Sequence, residues 1–284
     1  MRGLVALLPA TRRIAAASAS SRAAFPSAGA PRRASSVAAP AGGITIRYFD
    51  SRGRAQALRY ALVDSGLEFK DDKVAISHII SGNWFNMKNN VAVSGLWGTL
   101  PILQWGETQV AQTEAIAGFL YNVLGHDASG VGGPAAAAAS ASLTSLGHQD
   151  VIVLCLQLVN MVGVMQHAKD EELAQNVQGV QVRLNAFLPR IETLATKRMD
   201  LDKYLVLDTP TMGDYYIFEA CQVVSLVLGS QVLEGYPGIK AFIDKMQARP
   251  AMSAYIASGN RPLTLTGSPH EPGIIQKLQG LPKL

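Results

Sequence analysis

Cysteine is nearly absent. Two occur in 284 residues, Cys155 and Cys221, both in apolar stretches and with no CxxC spacing. That scarcity excludes a disulfide framework and a redox dithiol, and the expectation is two buried, inert thiols. The five histidines show no metal-ligand spacing, so no metal site is expected from them. Apolar residues make up 48% of the chain, yet no unbroken run approaches the roughly 20 residues that a membrane-spanning helix needs. Acid is missing from one region alone. Residues 1–43 carry six arginines (Arg2, Arg12, Arg13, Arg22, Arg32 and Arg33) and neither Asp nor Glu. Taking those six from 25 basic residues leaves 19 against 21 acidic ones. The formal charge of +4 therefore belongs to the leader. No basic stripe remains to grip phosphates, which excludes nucleic acid as a partner.

The leader is rich in Arg, Ala and Ser and opens on the apolar segment Leu4–Leu8, the composition of a transit peptide. Removal of about 35–43 residues is the expectation, for entry into a mitochondrion or, alternatively, a plastid. Beyond it, residues 44–126 read as strand, helix, strand, then hairpin and helix. Ile44–Phe49 alternates like a half-buried strand, and residues 52–66 show helical apolar spacing closed by Gly66. A second strand is expected at 68–74, followed by an irregular stretch. Leu100–Gln104, a turn at Trp105–Gly106 and Gln109–Gln112 make a hairpin, and 113–124 a helix. Residues 127–142 are Gly/Ala/Ser-rich and read as a linker. From 143 to 260 only helical patterns occur, near 143–167, 170–198, 212–229, 238–248 and 251–258. The tail 261–284, with four prolines, reads as irregular.

The run Tyr48-Phe49-Asp50-Ser51-Arg52-Gly53-Arg54-Ala55-Gln56 resembles the opening of sigma-class glutathione transferases, the branch that includes prostaglandin D synthases. Four further pieces follow in that family's order: Trp84 with Lys88, Leu100-Pro101-Ile102-Leu103, Gln112-Thr113-Glu114-Ala115-Ile116, and Thr211-Met212-Gly213-Asp214 through Phe218-Glu219. The resemblance spans about 44–260. It implies a thioredoxin-like α/β half followed by an all-α half, with glutathione as co-substrate.

By that resemblance Tyr48 donates a hydrogen bond to the sulfur of glutathione, and Arg54 supports it electrostatically. A thiol of pKa near 8.5 is only about 3% ionised at pH 7. Lowering that pKa by about two units takes roughly 2.7 kcal/mol, and one hydrogen bond to a charged group supplies about 1.5–3 kcal/mol. Gln112 and Thr113, where a strand turns into a helix, correspond to residues that hold the γ-glutamyl end. Free N–H groups at such a turn favour a carboxylate. Trp84 and Lys88, one helical turn apart, correspond to the pair that meets the glycine end. A cis Pro101 leaves the backbone of Leu100 to pair with that of glutathione. Glu114 places a negative charge close to the bound carboxylate.

One departure stands out. Some sigma-class enzymes carry clustered carboxylates in the first long helix of the second half. Here His148-Gln149-Asp150-Val151-Ile152 offers only Asp150, too few oxygens for a divalent cation. The resemblance further implies a small apolar second substrate, met by residues near Met161, Met165 and His167, and a homodimer. The alternative is a non-catalytic binding or structural subunit of an organellar assembly.

Overall fold

The computed structural model describes residues 38–124, 133–164 and 170–280. The leader expectation falls almost wholly on residues 1–37, outside the described residues. Alternation in Ile44–Phe49 (β1) sends Ile44, Ile46 and Tyr48 into the core. The strand pairs in parallel with β2 (Lys70–Val74), Tyr48 lying opposite Lys73. On its other side it runs antiparallel to β3 (Ile102–Trp105), which forms a hairpin with β4 (Thr108–Ala111). The sheet order is β2-β1-β3-β4. The parallel connection requires a crossover, and α1 (Gln56–Ser65) supplies it, burying Leu58, Tyr60 and Leu62. Gly66 at φ 73° ends α1 in the left-handed region, where a side chain would be strained. The stretch expected to be irregular holds three short helices, α2 (Ser77–Ile80), α3 (Asn83–Met87) and α4 (Val91–Ser94). Helix α5 (Thr113–Val123) closes this half.

The linker expectation is corrected. From Gly133 the Gly/Ala/Ser-rich segment is helix α6 (Gly133–Gly147), continued by a π-helical turn at His148–Ile152 and by α7 (Val153–Val164). Small residues serve a close crossing there. A Cβ on Gly147 would lie 2.8 Å from the Tyr216 carbonyl, and one on Gly213 would lie 2.8 Å from the Ser140 carbonyl. Alanine is also the strongest helix former, so a composition that reads as flexible is equally that of a tightly packed helix. The continuous run Gly133–Gly163 is long and apolar enough to cross a membrane by those two criteria, unlike the expectation from unbroken runs. Half of its most apolar window is buried inside the fold.

Helices α8 (Asp170–Met199), α9 (Met212–Leu228), α10 (Pro237–Gln247) and α11 (Pro250–Ala257) complete the helical half near the expected positions. Residues Met212–Cys221 of α9 are buried without interruption. Asp214 caps α9: its carboxylate accepts from Thr211 N and Oγ1, both at 2.8 Å, and from Leu205 N at 2.7 Å. Burial pushes its pKa up to about 6 against those three bonds. Cys155 and Cys221 are buried and free, their thiols pushed up to about 12 by burial. The tail expectation is also corrected, because Glu271–Gly280 forms α12. Pro272 sits in its first turn, where a missing N–H costs nothing.

Candidate active site

The strand register brings three expected pieces to one edge of the sheet. Arg47 lies opposite Ile102, and Ile102 opposite Ala111. One step further along each strand places Tyr48, Pro101 and Gln112 side by side. The Leu100–Pro101 peptide is cis, as expected. Gln112 has φ 71° and ψ 124°, a sparsely populated conformation for a residue with a side chain. Its Nε2 reaches Thr99 Oγ1 at 3.5 Å. Thr113 follows as the first residue of α5, with only 4% of its surface exposed. The first bonded amide of the helix is that of Ile116, which donates to the Gln112 carbonyl at 2.9 Å. The amides of Thr113, Glu114 and Ala115 precede that first bond.

Tyr48 is 6% exposed. Its hydroxyl oxygen accepts a hydrogen bond from the Arg54 backbone N–H at 3.1 Å. The loop between them has no slack: Gly53 stands at φ 38°, and a Cβ there would lie 2.5 Å from that oxygen. Burial raises the Tyr48 pKa, more than the Arg54 N–H and the charges of Arg54 and Arg59 lower it. The group is therefore a neutral phenol at neutral pH. Its oxygen receives one N–H, so its proton remains to be donated. Arg54 thus acts on Tyr48 through its backbone as well as its charge.

Glu114 turns away from the Gln112–Thr113 edge. Its Oε1 lies 2.7 Å from His148 Nδ1 and accepts from Gln149 Nε2 at 2.5 Å. Burial opposes its ionised form, but the bonds from His148 and Gln149 outweigh it and hold its pKa below the usual carboxylate range. Burial pushes the His148 imidazole down, against the pull of Glu114. An ionised Glu114 facing a neutral imidazole assigns the proton to Nδ1. This clasp joins the start of α5 to the π-helical turn, and its charge is already engaged. Sequence reasoning missed the clasp. An acid after Thr113 and a histidine 34 residues later carry no spacing signal.

Trp84 packs edge-on against Phe49, ring centroids 5.0 Å apart, and Phe49 against Tyr48 at 5.3 Å. Lys88 N donates to the Trp84 carbonyl, so the two share one turn, and the Lys88 ammonium lies 5.8 Å from the Phe85 ring. Trp84 is thereby tied to the Tyr48 strand, whereas Lys88 points along an exposed segment. A groove of about 390 Å³ beside it is lined by Lys88, Val91, Leu96 and Trp97. Another, of about 310 Å³ between α5 and α6, is lined by Glu114, Tyr121, Thr144 and Met212. Tyr48 lines neither. Met161 is half-buried on α7, while Met165 and His167 lie outside the described residues.

The profile described as "Glutathione S-transferase, C-terminal domain" matches residues 157–259. Glutathione S-transferase P 1 of Xenopus laevis is 27% identical over 231 residues, covering 78% of this chain and 97% of the relative. Over most of its length the chain is similar to glutathione transferases. Human Glutathione S-transferase P is 26% identical over 214 residues, with 75% of this chain and 91% of the relative covered. Monomeric Na-GST-3 of the hookworm Necator americanus superposes with a TM-score of 0.60 at 25% identity, covering 76% of this chain and 96% of that one. Rat hPGDS superposes with a TM-score of 0.52 at 21% identity, a likeness of fold alone. The chain thus has a thioredoxin-like half and a helical half, the fold of the proteins it resembles.

Proposed function

We propose that this protein activates the thiol of glutathione for attack on an apolar electrophile or for a glutathione-assisted isomerisation. The observation that carries the reading is the Tyr48 hydroxyl: a buried phenol, its oxygen held by the Arg54 N–H, its proton free. Donated to the sulfur, that proton lowers the thiol pKa, and the thiol's own proton leaves to solvent. The thiolate then supplies the electron pair of the new C–S bond. In conjugation, the leaving group departs with the electrophile's electron pair. Gln112 and the amides at the start of α5 hold the γ-glutamyl carboxylate, Leu100 the peptide backbone, and Trp84 with Lys88 the glycine carboxylate. The acid-free leader supports import into a mitochondrion, with a plastid as the alternative.

Tyr48→Phe keeps the ring and its packing. The pKa of bound glutathione should rise by about one to two units, a ten- to hundredfold loss of turnover at neutral pH. Identical pH–rate profiles for wild type and variant would sink the role of Tyr48. One observation favours a second reading, a binding subunit of an assembly: Phe85, Val91, Leu96 and Trp97 are all exposed on one short segment. Failure of the native protein to bind a glutathione column would move the conclusion there.

A further inference from the structure

We propose that Glu271, in the tail, is a positioning residue for the Tyr48 hydroxyl. The inference rests on Tyr48 being the donor to the thiol. Its basis is a pair of parallel hydrogen-bond lanes through two consecutive peptide units. Glu271 Oε1 accepts from Leu265 N at 2.6 Å, and the carbonyl of that same peptide unit, Thr264 O, accepts from Arg52 N at 2.9 Å. Glu271 Oε2 accepts from Thr266 N at 2.6 Å, and the carbonyl of that unit, Leu265 O, accepts from Gly53 N at 3.0 Å. The Thr266 hydroxyl adds a third bond to the carboxylate, the second at Oε2. Arg52 and Gly53 immediately precede Arg54, whose N–H holds the Tyr48 oxygen.

Each link in this path is stiff. Glu271 is 1% exposed, so its carboxylate depends on these donors and not on water. Leu265 is fully buried. Leu278 and Ile275 bury α12, which packs on α7 and α9. A charged acceptor polarises each peptide unit and strengthens the bond made by its carbonyl, because hydrogen bonds in series reinforce one another. At the far end a Cβ on Gly53 would lie 2.5 Å from the hydroxyl oxygen, so the backbone runs close by and a shift there moves the Arg54 N–H off the Tyr48 oxygen. The guanidinium of Arg52 is fixed separately by Glu219, with both bonds at 3.0 Å. Glu271 therefore bonds to the peptide units that hold the loop backbone, while Glu219 binds the Arg52 side chain directly and Glu271 reaches it only through its charge.

The test uses the full chain with Glu271→Gln, which keeps the shape but removes the charge and one acceptor. Three quantities are read: the Tyr48 ring Cζ resonance in selectively 13C-labelled protein, the pH midpoint of thiolate formation in bound glutathione, and the thermal midpoint. The resonance is assigned by its loss in Tyr48→Phe, and Glu234→Gln at an exposed position is the control. The expected result is a moved resonance, and a thiolate midpoint raised by about half a unit, threefold less thiolate at neutral pH. The KM for glutathione should stay within twofold. A resonance or a midpoint unmoved while thermal stability falls would overturn the inference, leaving Glu271 a structural cap. Should Glu271→Gln not fold, Thr266→Val removes one bond to Glu271 and is read the same way. A midpoint that Tyr48→Phe itself leaves unchanged is a different failure, that of the Tyr48 reading.

Discussion

Thr113 and Lys88 stand at opposite ends of the proposed glutathione cradle, and their surroundings differ. Thr113 is almost fully buried and starts an 11-residue helix clasped to the helical half by His148 and Gln149. On the same side Tyr48 is held by Arg54, and the Arg52 loop is fixed by Glu219 and by the tail. Lys88 belongs to a run of four- and five-residue helices with exposed Phe85, Val91 and Leu96, and with Trp97 70% exposed. Such short helices are not stable on their own. The difference assigns rigidity to the end that sets the chemistry, and adaptability to the end that only tethers a carboxylate.

The largest test of that contrast is Arg52→Ala. The Arg52–Glu219 pair is bidentate and nearly free of solvent, so removing the cation leaves Glu219 buried and uncompensated. The expected loss is about 3–5 kcal/mol in urea unfolding. Trp97→Ser, on the exposed side, should change stability by less than about 0.5 kcal/mol. Comparable losses for the two would break the comparison.

Binding sharpens it further. Thr113→Ala removes a buried hydroxyl at the start of α5 and should weaken glutathione binding by about tenfold, or 1.4 kcal/mol. Lys88→Ala removes a partly exposed charge and should cost about two- to fivefold, an effect that fades with added salt. Calorimetric titration at two salt concentrations separates them. A salt-insensitive loss in Lys88→Ala exceeding that in Thr113→Ala would reverse the assignment of the two ends.

Much of this arrangement was legible in the sequence, and the gaps have physical causes. Alternation in Ile44–Phe49 and the helical spacing after it lead directly to β1 and α1, because each periodicity reports one buried face. Tyr48, Pro101 and Gln112 could be named from motifs, but their adjacency required the pairing register, which no local pattern encodes. The Ala-rich segment misled because composition alone does not distinguish a flexible linker from a helix pressed against Gly213. The tail misled because Pro262 and Pro269 lie before α12 and Pro272 in its first turn, where they permit a helix. The Glu219 and His148 contacts, and the bonds from Arg52 and Gly53 to the tail backbone, join residues far apart in the chain, and only folding brings them together.

The smallest expected effect lies in the pH dependence of the clasp. Burial lowers the His148 pKa from its ordinary 6.5, so the unfolded chain binds a proton before the native one does. Stability from this group is complete above pH 6.5 and is lost as pH falls. Glu114, held below its ordinary 4.5, has the same sign: its contribution is present above 4.5 and declines below it. Asp214 runs the other way, since its raised carboxyl adds stability that is full below 3.8 and lost as pH rises through about 6. Wild type alone therefore gives a mixed curve. Subtracting the curve of His148→Gln cancels Asp214, because the two sites share no hydrogen bond. Between pH 6.5 and 5.5 wild type should lose more stability than His148→Gln, by less than about 1.4 kcal/mol, the limit for one proton over one pH unit. Urea midpoints at half-unit steps would reveal it. Parallel curves would mean that His148 titrates as it does in the unfolded chain, and that the end holding Thr113 is not braced by a neutral imidazole.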